Sequence, residues 1–249
     1  MLKDGERLDD LHRDGYKLIQ NPKMFCFGLD AVLLSDFARA KPDETVLDMC
    51  CGNGIVPILM EAKTQCSQFV GIEIQEYNVD MAMRSVRYNK LQDKIFIEHG
   101  DLRELDKLYN LHLFDVVTCN PPYIQNDSGA ANLSKEKAIA RHEIMCTLDD
   151  IMHSASDMLK YGGRFYMVHR VNRIVDIFEL SRKYSLEPKL LRFVHAMHDQ
   201  APSMMLIEFI KNGKPHLEVM APLILYAARG VCSKEFHDIL YNTREENEE

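Results

Sequence analysis

Asn120, Pro121, Pro122 and Tyr123 follow directly on an apolar run, "FDVVTC" at 114–119. Proline has no backbone N–H and a fixed φ, so the pair stops and stiffens the chain where that run ends. The asparagine side-chain carbonyl and the Pro121 backbone carbonyl are both acceptors, and neither can take up a proton. Two such acceptors converging on an –NH₂ group would aim its lone pair at an electrophile. They would also favour the positive charge that develops as the nitrogen attacks, which is positioning plus electrostatics, with no general base before attack. Tyr123 adds a flat face for a planar substrate such as a nucleobase. Alone, Asn-Pro-Pro could equally be a rigid turn beside a surface tyrosine.

A second group stands upstream. "VLDMCCGNG" at 46–54 reads as an apolar strand carrying Asp48, then a turn containing Cys50, Gly52, Asn53 and Gly54, then a helix opening at Ile55. Glycines let the backbone approach a ligand, and the helix start offers unpaired N–H groups. Glu73 ends the next strand, nineteen residues beyond Gly54, followed by Ile74. An acid there can accept both ribose hydroxyls of a nucleoside. Pro57 follows the turn and the third glycine of GxGxxG is missing. That points to a nucleoside cofactor without a pyrophosphate; a tight turn with a surface glutamate is the plainer alternative. Asp101 and Leu102 follow the third strand at the same sheet edge. The carboxylate can accept from an adenine amino group while the leucine packs on the ring, or Asp101 can cap a helix over 102–109.

These residues need strands that end at one edge. Apolar runs at 45–49, 69–74, 94–100, 114–120 and 164–170 alternate with helix-like stretches at 75–91 and 147–160, the latter beginning at a Thr147 cap. Strand–helix alternation predicts a parallel sheet covered by helices on both faces. The runs at 189–197 and 203–211 are too close for a helical crossover, so they are expected to pair as an antiparallel hairpin. The expected fold is α/β, a Rossmann-like seven-stranded sheet, mostly parallel, closed by a C-terminal antiparallel hairpin. Its sections are an N-terminal flap over 1–40, the main domain over 41–242 and an acidic tail over 243–249.

The 249 residues suffice for one large α/β domain, and the formal charge of −8 excludes a globally basic nucleic-acid binder. The polar start and the lack of a long apolar run predict neither a secretory signal nor a membrane span. Seven cysteines without a CxxC pair predict reduced thiols, a cytoplasmic setting and no zinc.

Together "VLDMCCGNG", "GIE", "GD" and "NPPY" resemble the amino-methylating class I methyltransferases that use S-adenosylmethionine. Stretches at 6–11, 15–38, 140–143, 161–170 and 221–230 extend the likeness over nearly the whole chain. There it is similar to the bacterial tRNA adenine-N6 methyltransferases that act beside the anticodon of a valine tRNA. The resemblance implies cofactor contacts by Leu29, Asp48, Cys50, Gly52, Asn53, Gly54, Glu73, Ile74, Asp101, Leu102 and Asn120. It implies a base held by Asn120, Pro121, Pro122 and Tyr123, and a segment Phe27–Leu29 that closes over the cofactor. Cys50 departs from the family's glycine and loses tolerance for positive φ.

The activity expected is methyl transfer from S-adenosylmethionine to the exocyclic N6 amine of an unpaired tRNA adenine near the anticodon. Alternatives are a release-factor glutamine, an rRNA guanine-N2, or a nucleoside-binding scaffold without turnover. No metal is expected, although His195 and His198 share a short stretch, and neither is a membrane partner; a monomer or weak dimer is. The cations of 160–192 could be a phosphate-binding patch or a solvated face. Arg141 and His142 lie in a polar loop, 124–142, that could cover the base or be an ordinary exposed loop. Asp30 is expected to cap a helix whose Leu33, Leu34, Phe37 and Ala38 face the core.

Overall fold

Every apolar run named above is a strand of one sheet. The computed structural model describes residues 2–24, 26–64, 66–122 and 146–241. Tyr123, Arg141, His142 and the acidic tail lie outside the described residues. In chain order the elements are β1 (Arg7–Asp10), β2 (Lys17–Gln20), α1 (Leu29–Phe37), β3 (Thr45–Met49), α2 (Ile55–Thr64), β4 (Gln68–Glu73) and α3 (Glu76–Tyr88). Next come β5 (Ile95–His99), α4 (Leu105–Leu108), β6 (Phe114–Cys119), α5 (Leu148–Met158), β7 (Leu159–Arg170), α6 (Ile174–Lys183), β8 (Leu186–His195) and β9 (Met204–Lys211). Four short strands, β10 (Glu218–Val219), β11 (Leu223–Ile224), β12 (Tyr226–Ala228) and β13 (Val231–Cys232), precede α7 (Lys234–Tyr241).

The sheet runs β10-β8-β9-β7-β6-β3-β4-β5, with β11 also on β8. Strands β3 to β7 pair in parallel. β9 lies antiparallel between β7 and β8, as expected for the terminal hairpin. Strand order reverses between β3 and β6, and a parallel sheet opens a crevice at the carboxyl ends of such a pair. Asp48 and Thr118 are Cα partners there, one residue below the strand ends.

Helices cover both faces. Leu33 and Leu34 of α1, Ile58 of α2 and Ala82 of α3 pack with Val46 and Tyr166 on one side. Ile151 of α5 and Ile177 of α6 pack with Leu47 and Phe165 on the other. Thr147 caps α5 through a reciprocal box with Asp150, which satisfies two backbone N–H donors at that helix start. At α1 the cap is Gly28, with Asp30 already inside the first turn and its Oδ1 accepting from the Ala31 N–H at 3.0 Å. The helix therefore starts two residues earlier than an Asp30 cap implied, with extended backbone at Gly28.

The first two strands form an antiparallel hairpin that sits on α3. Ile19 N–H donates to Ser85 Oγ at 3.0 Å, and the Asn89 side chain exchanges two hydrogen bonds with the Lys17 backbone. Arg84 of α3 forks onto Glu6 at 2.7 and 2.6 Å, and both side chains are nearly covered. Removing one partner of such a pair strands the other charge away from water. Arg84→Ala is expected to cost about 3 kcal/mol. Amide exchange should speed first in 7–20, while β3 to β7 keep their protection; unchanged exchange in the hairpin would contradict this.

Candidate functional site

The turn after β3 packs three left-handed residues into five: Cys50 at φ +59, Gly52 at +56 and Gly54 at +83. Gly54 is required by packing, since a Cβ there would lie 3.3 Å from Ala82 Cβ of α3. Gly52 has open space where its Cβ would stand, so a ligand can reach the backbone. Cys50 adopts the same conformation with a side chain, at a cost of about 1 kcal/mol. The departure from glycine has not changed the turn. The side chains of Cys50 and of Cys146, just ahead of α5, pack against the core cluster that includes Cys119 at the end of β6. Burial and these contacts hold all three thiols protonated.

Glu73 closes the turn from β4. Its Oε2 accepts the Gly52 N–H and its Oε1 the Gln75 N–H, both at 2.9 Å, and the Asn78 side chain also donates to it. Burial raises its pKa, and these donors oppose that rise. The Glu73 carbonyl accepts from Gly100 N–H at 3.0 Å, which brings Asp101 to the same edge. Asp101 caps the short helical turn at Leu102, which is buried, and its carboxylate is gripped by the Arg103 guanidinium, which lowers its pKa. The Ile74 carbonyl accepts from the His99 ring at 2.8 Å.

Asn120 stands at the end of β6, followed by buried Pro121 and exposed Pro122. It lines one cavity with Cys50, Gly52, Asn53, Asn78 and Phe27, the last of these two residues ahead of Leu29 in the chain. Asn53 is buried and its Nδ2 has no hydrogen-bond partner. Asp48 lies beneath the turn, not in this wall; Thr118 Oγ1 donates to its Oδ1 at 2.6 Å, and burial pushes its pKa up to about 8. The structure thus joins Cys50, Gly52, Asn53 and Asn120 around one cavity. Glu73, Ile74, Asp101 and Leu102 line up beside it along the strand ends.

Asn78 and Thr118 were not singled out from the sequence, whereas Phe27, in the cavity lining, belongs to the segment Phe27–Leu29 that the resemblance implied. Asn78 could have been, as a polar residue next to Val79 on the buried face of α3. Thr118 sits inside an apolar run, where nothing in the spacing marks it as a partner for Asp48.

His195 Nδ1 is engaged by the Gln200 carbonyl at 2.7 Å, and no metal-holding cluster of His, Cys, Asp or Glu occurs among the described residues. One weaker expectation changes. The cations of 160–192 do not form one patch. Lys160 and Arg164 pair with Asp115 and Glu44 at the amino end of the sheet, Lys183 with Asp149, and Arg192 with Glu235. Each strand or helix carries its cations to a different face, so proximity in sequence is lost. Arg170 ends β7 at the carboxyl edge, and Arg173 follows in the next short turn, where it pairs with Asp176.

Comparison with known proteins agrees with this arrangement. The family model described as "Methyltransferase small domain" matches residues 15–182, and the chain belongs to that family. It is 25% identical to a tRNA1(Val) (adenine(37)-N6)-methyltransferase of Porphyromonas gingivalis, over 84% of each chain. It is 22% identical to the one named likewise in Aliivibrio salmonicida, over 81% of this chain and 83% of that one. Among solved structures, a predicted O-methyltransferase from Agrobacterium tumefaciens superposes with a TM-score of 0.69 at 18% identity, covering 86% of this chain and 96% of that one. The family and the class I fold expected from the motifs are both met.

The left-handed turn makes a stability prediction. Cys50→Gly is expected to be more stable than Cys50→Ala by about 1 kcal/mol in urea unfolding, because both lose the thiol and only alanine keeps the strained Cβ. In an ordinary loop the order would be reversed, and finding that reversed order would rule out the strain.

Proposed function

We propose that this methyltransferase acts on the exocyclic N6 amine of an unpaired adenine in tRNA, beside the anticodon, with S-adenosylmethionine as methyl donor. The observation that carries the reading is the meeting of Asn120 with the glycine turn in one cavity wall. The residues present suit the cofactor. With two backbone donors and the Asn78 amide on it, the Glu73 carboxylate keeps a lone pair for a ribose hydroxyl. Asn53 Nδ2 is a buried donor in want of an acceptor, as a carboxylate would supply. Gly52 leaves backbone open to approach. Leu29, Ile74 and Leu102 offer apolar contact, Asp101 an acceptor for an amino group, and Cys50 and Gly54 the shape of the turn.

When bound, the cofactor supplies an electrophilic methyl group on a sulfonium. Asn120 Oδ1 and the Pro121 carbonyl would each accept one hydrogen of the amine and leave its lone pair pointing at that carbon. Pro122 fixes the chain behind them, and Tyr123 would stack on the base. None of these groups takes a proton during attack; the methylated nitrogen loses its own to water afterwards. A paired adenine cannot present its amine this way, so the substrate is an unpaired or extruded base. The family resemblance favours adenine in tRNA over a release-factor glutamine or an rRNA guanine.

Glu73→Ala should weaken S-adenosylmethionine binding by roughly 1–3 kcal/mol, the range for a charged hydrogen-bond partner. Calorimetry with unchanged affinity would remove that assignment. Asn120→Ala should depress kcat far more than it lowers the unfolding midpoint.

The chain's net charge is −8, so phosphates must be met locally, and Arg170 with Arg173 is the best-placed pair. Replacing both by Glu should raise KM for tRNA and flatten its salt dependence while S-adenosylmethionine binding holds. Nucleoside mass spectrometry after parallel incubation with tRNA, rRNA fragments and a release factor tests the substrate. N6-methyladenine from tRNA is expected; label only on release-factor glutamine would overturn the RNA assignment.

A further inference from the structure

The chain beyond β9 comes back to the carboxyl edge of the sheet. Arg170 of β7, Met204 of β9 and Val194 of β8 are Cα partners in one row, which Leu223 of β11 extends beside Val194. Leu225 N–H and Tyr226 N–H then donate to the His195 and Ala196 carbonyls at 2.9 and 3.0 Å. The antiparallel ribbon β12–β13 therefore starts where β8 ends, with Ala228 opposite Val231. Its base is fixed, since Leu225 and Phe236 are buried and the Tyr226 ring meets that of Phe236 edge to face at 5.8 Å. Its tip, Arg229 and Gly230, is exposed.

The chain carries 38 acids in 249 residues, about one in seven, yet 219–234 holds none. The two charged side chains of that stretch are Arg229 and Lys234. Both are exposed, and neither has an ion pair or a side-chain hydrogen bond among the described residues. Glu235, the next acid along the chain, is taken up by Arg192, whose Nη2 reaches both carboxylate oxygens at 2.7 and 2.8 Å. Ala227, Ala228 and Gly230 keep the ribbon low, so a bulky polyanion can come close to the guanidinium.

Building on the RNA reading above, we propose that the β12–β13 ribbon is a second contact for the tRNA substrate, with Arg229 and Lys234 on backbone phosphates away from the target base. The guanidinium offers parallel N–H donors to two phosphate oxygens, and the ammonium adds a point charge. Four strand steps separate β6, which ends just before Asn120, from β11. At about 4.8 Å a step the distance is about 19 Å. Along one stacked strand, with about 3.4 Å per phosphate, that spans about five or six nucleotides. A lone adenine held at Asn120 cannot reach the ribbon, whereas a folded RNA around it can. The partner must be a polyanion that extends this far from its reacting amine, and RNA meets both conditions.

Initial-rate methylation of tRNA by the full chain, over a range of salt, tests the contact with Arg229→Glu and Lys234→Glu combined. KM for tRNA is expected to rise about tenfold, and the slope of log(kcat/KM) against log[salt] to become shallower by about two. S-adenosylmethionine affinity and the unfolding midpoint should hold. Lys90→Glu with Lys214→Glu makes the same charge change at the amino edge, beyond the ends of α3 and β9, and should leave KM where it is. Amide exchange of the wild type needs no variant, and 226–232 should gain protection when tRNA is added. An unchanged KM in the ribbon variant, an equal rise in the amino-edge variant, or no protection of 226–232 would each overturn the contact. Methylation of a release factor and of no RNA by the wild type would overturn the RNA reading, and the contact with it. Methylation of tRNA that the ribbon variant performs as well as the wild type would overturn the contact alone.

Discussion

One carboxylate organises the carboxyl edge of this sheet. Glu73 grips Gly52 N–H with one oxygen and Gln75 N–H with the other, so the turn after β3 and the chain leaving β4 are pinned to a single side chain. The backbone carbonyl of the same residue then holds Gly100, which brings the end of β5 into line. Parallel strands give only slanted, evenly spaced bonds and leave their ends loose. A buried acid shared between two strand ends supplies the missing restraint, and α2, α3 and the cavity wall take their positions from it. On the proposed reading the same carboxylate would also meet the ribose, so one group would both shape the site and face its ligand.

That double use explains the strain around it. Three left-handed residues in five are needed for the turn to come back over Glu73, and one of them is Cys50. A glycine would relieve the backbone but leave the space beside Cys119 and Cys146 empty, and buried voids forfeit packing. The thiol trades about 1 kcal/mol of backbone strain for contact between the cofactor turn, the end of β6 and the start of α5. These are the three places that must stay in register if Asn120 is to meet the turn.

The central sheet was legible because its strands are apolar on both faces and bounded by turn residues, as at Val46–Met49 and Phe114–Cys119. The terminal hairpin followed from loop length alone. The first hairpin was not legible: Arg7–Asp10 is polar, and its register comes from Ser85, Asn89 and Arg84 of α3, far away in sequence. In the site, glycine spacing and the acids could be read directly, since they are local patterns. Asn78 was marked only by being polar beside Val79 on the buried face of α3, and Thr118 not at all, because its role arises only when β6 pairs with β3. The basic segment 160–192 misled for the same reason, its cations being dealt out to opposite ends of the sheet.

The distribution of charge follows from that folding. With a net charge of −8, an exposed cation lowers its energy by meeting one of the many surface acids, and most cations of 160–192 do so. Such pairs are worth little individually, yet each one removes a site where a polyanion could dock by mistake. Arg170 ends β7 at the carboxyl edge of the sheet, level with the stretch that follows Asn120. On the proposed reading, recognition of a nucleic acid and the chemistry at Asn120 would share that one edge.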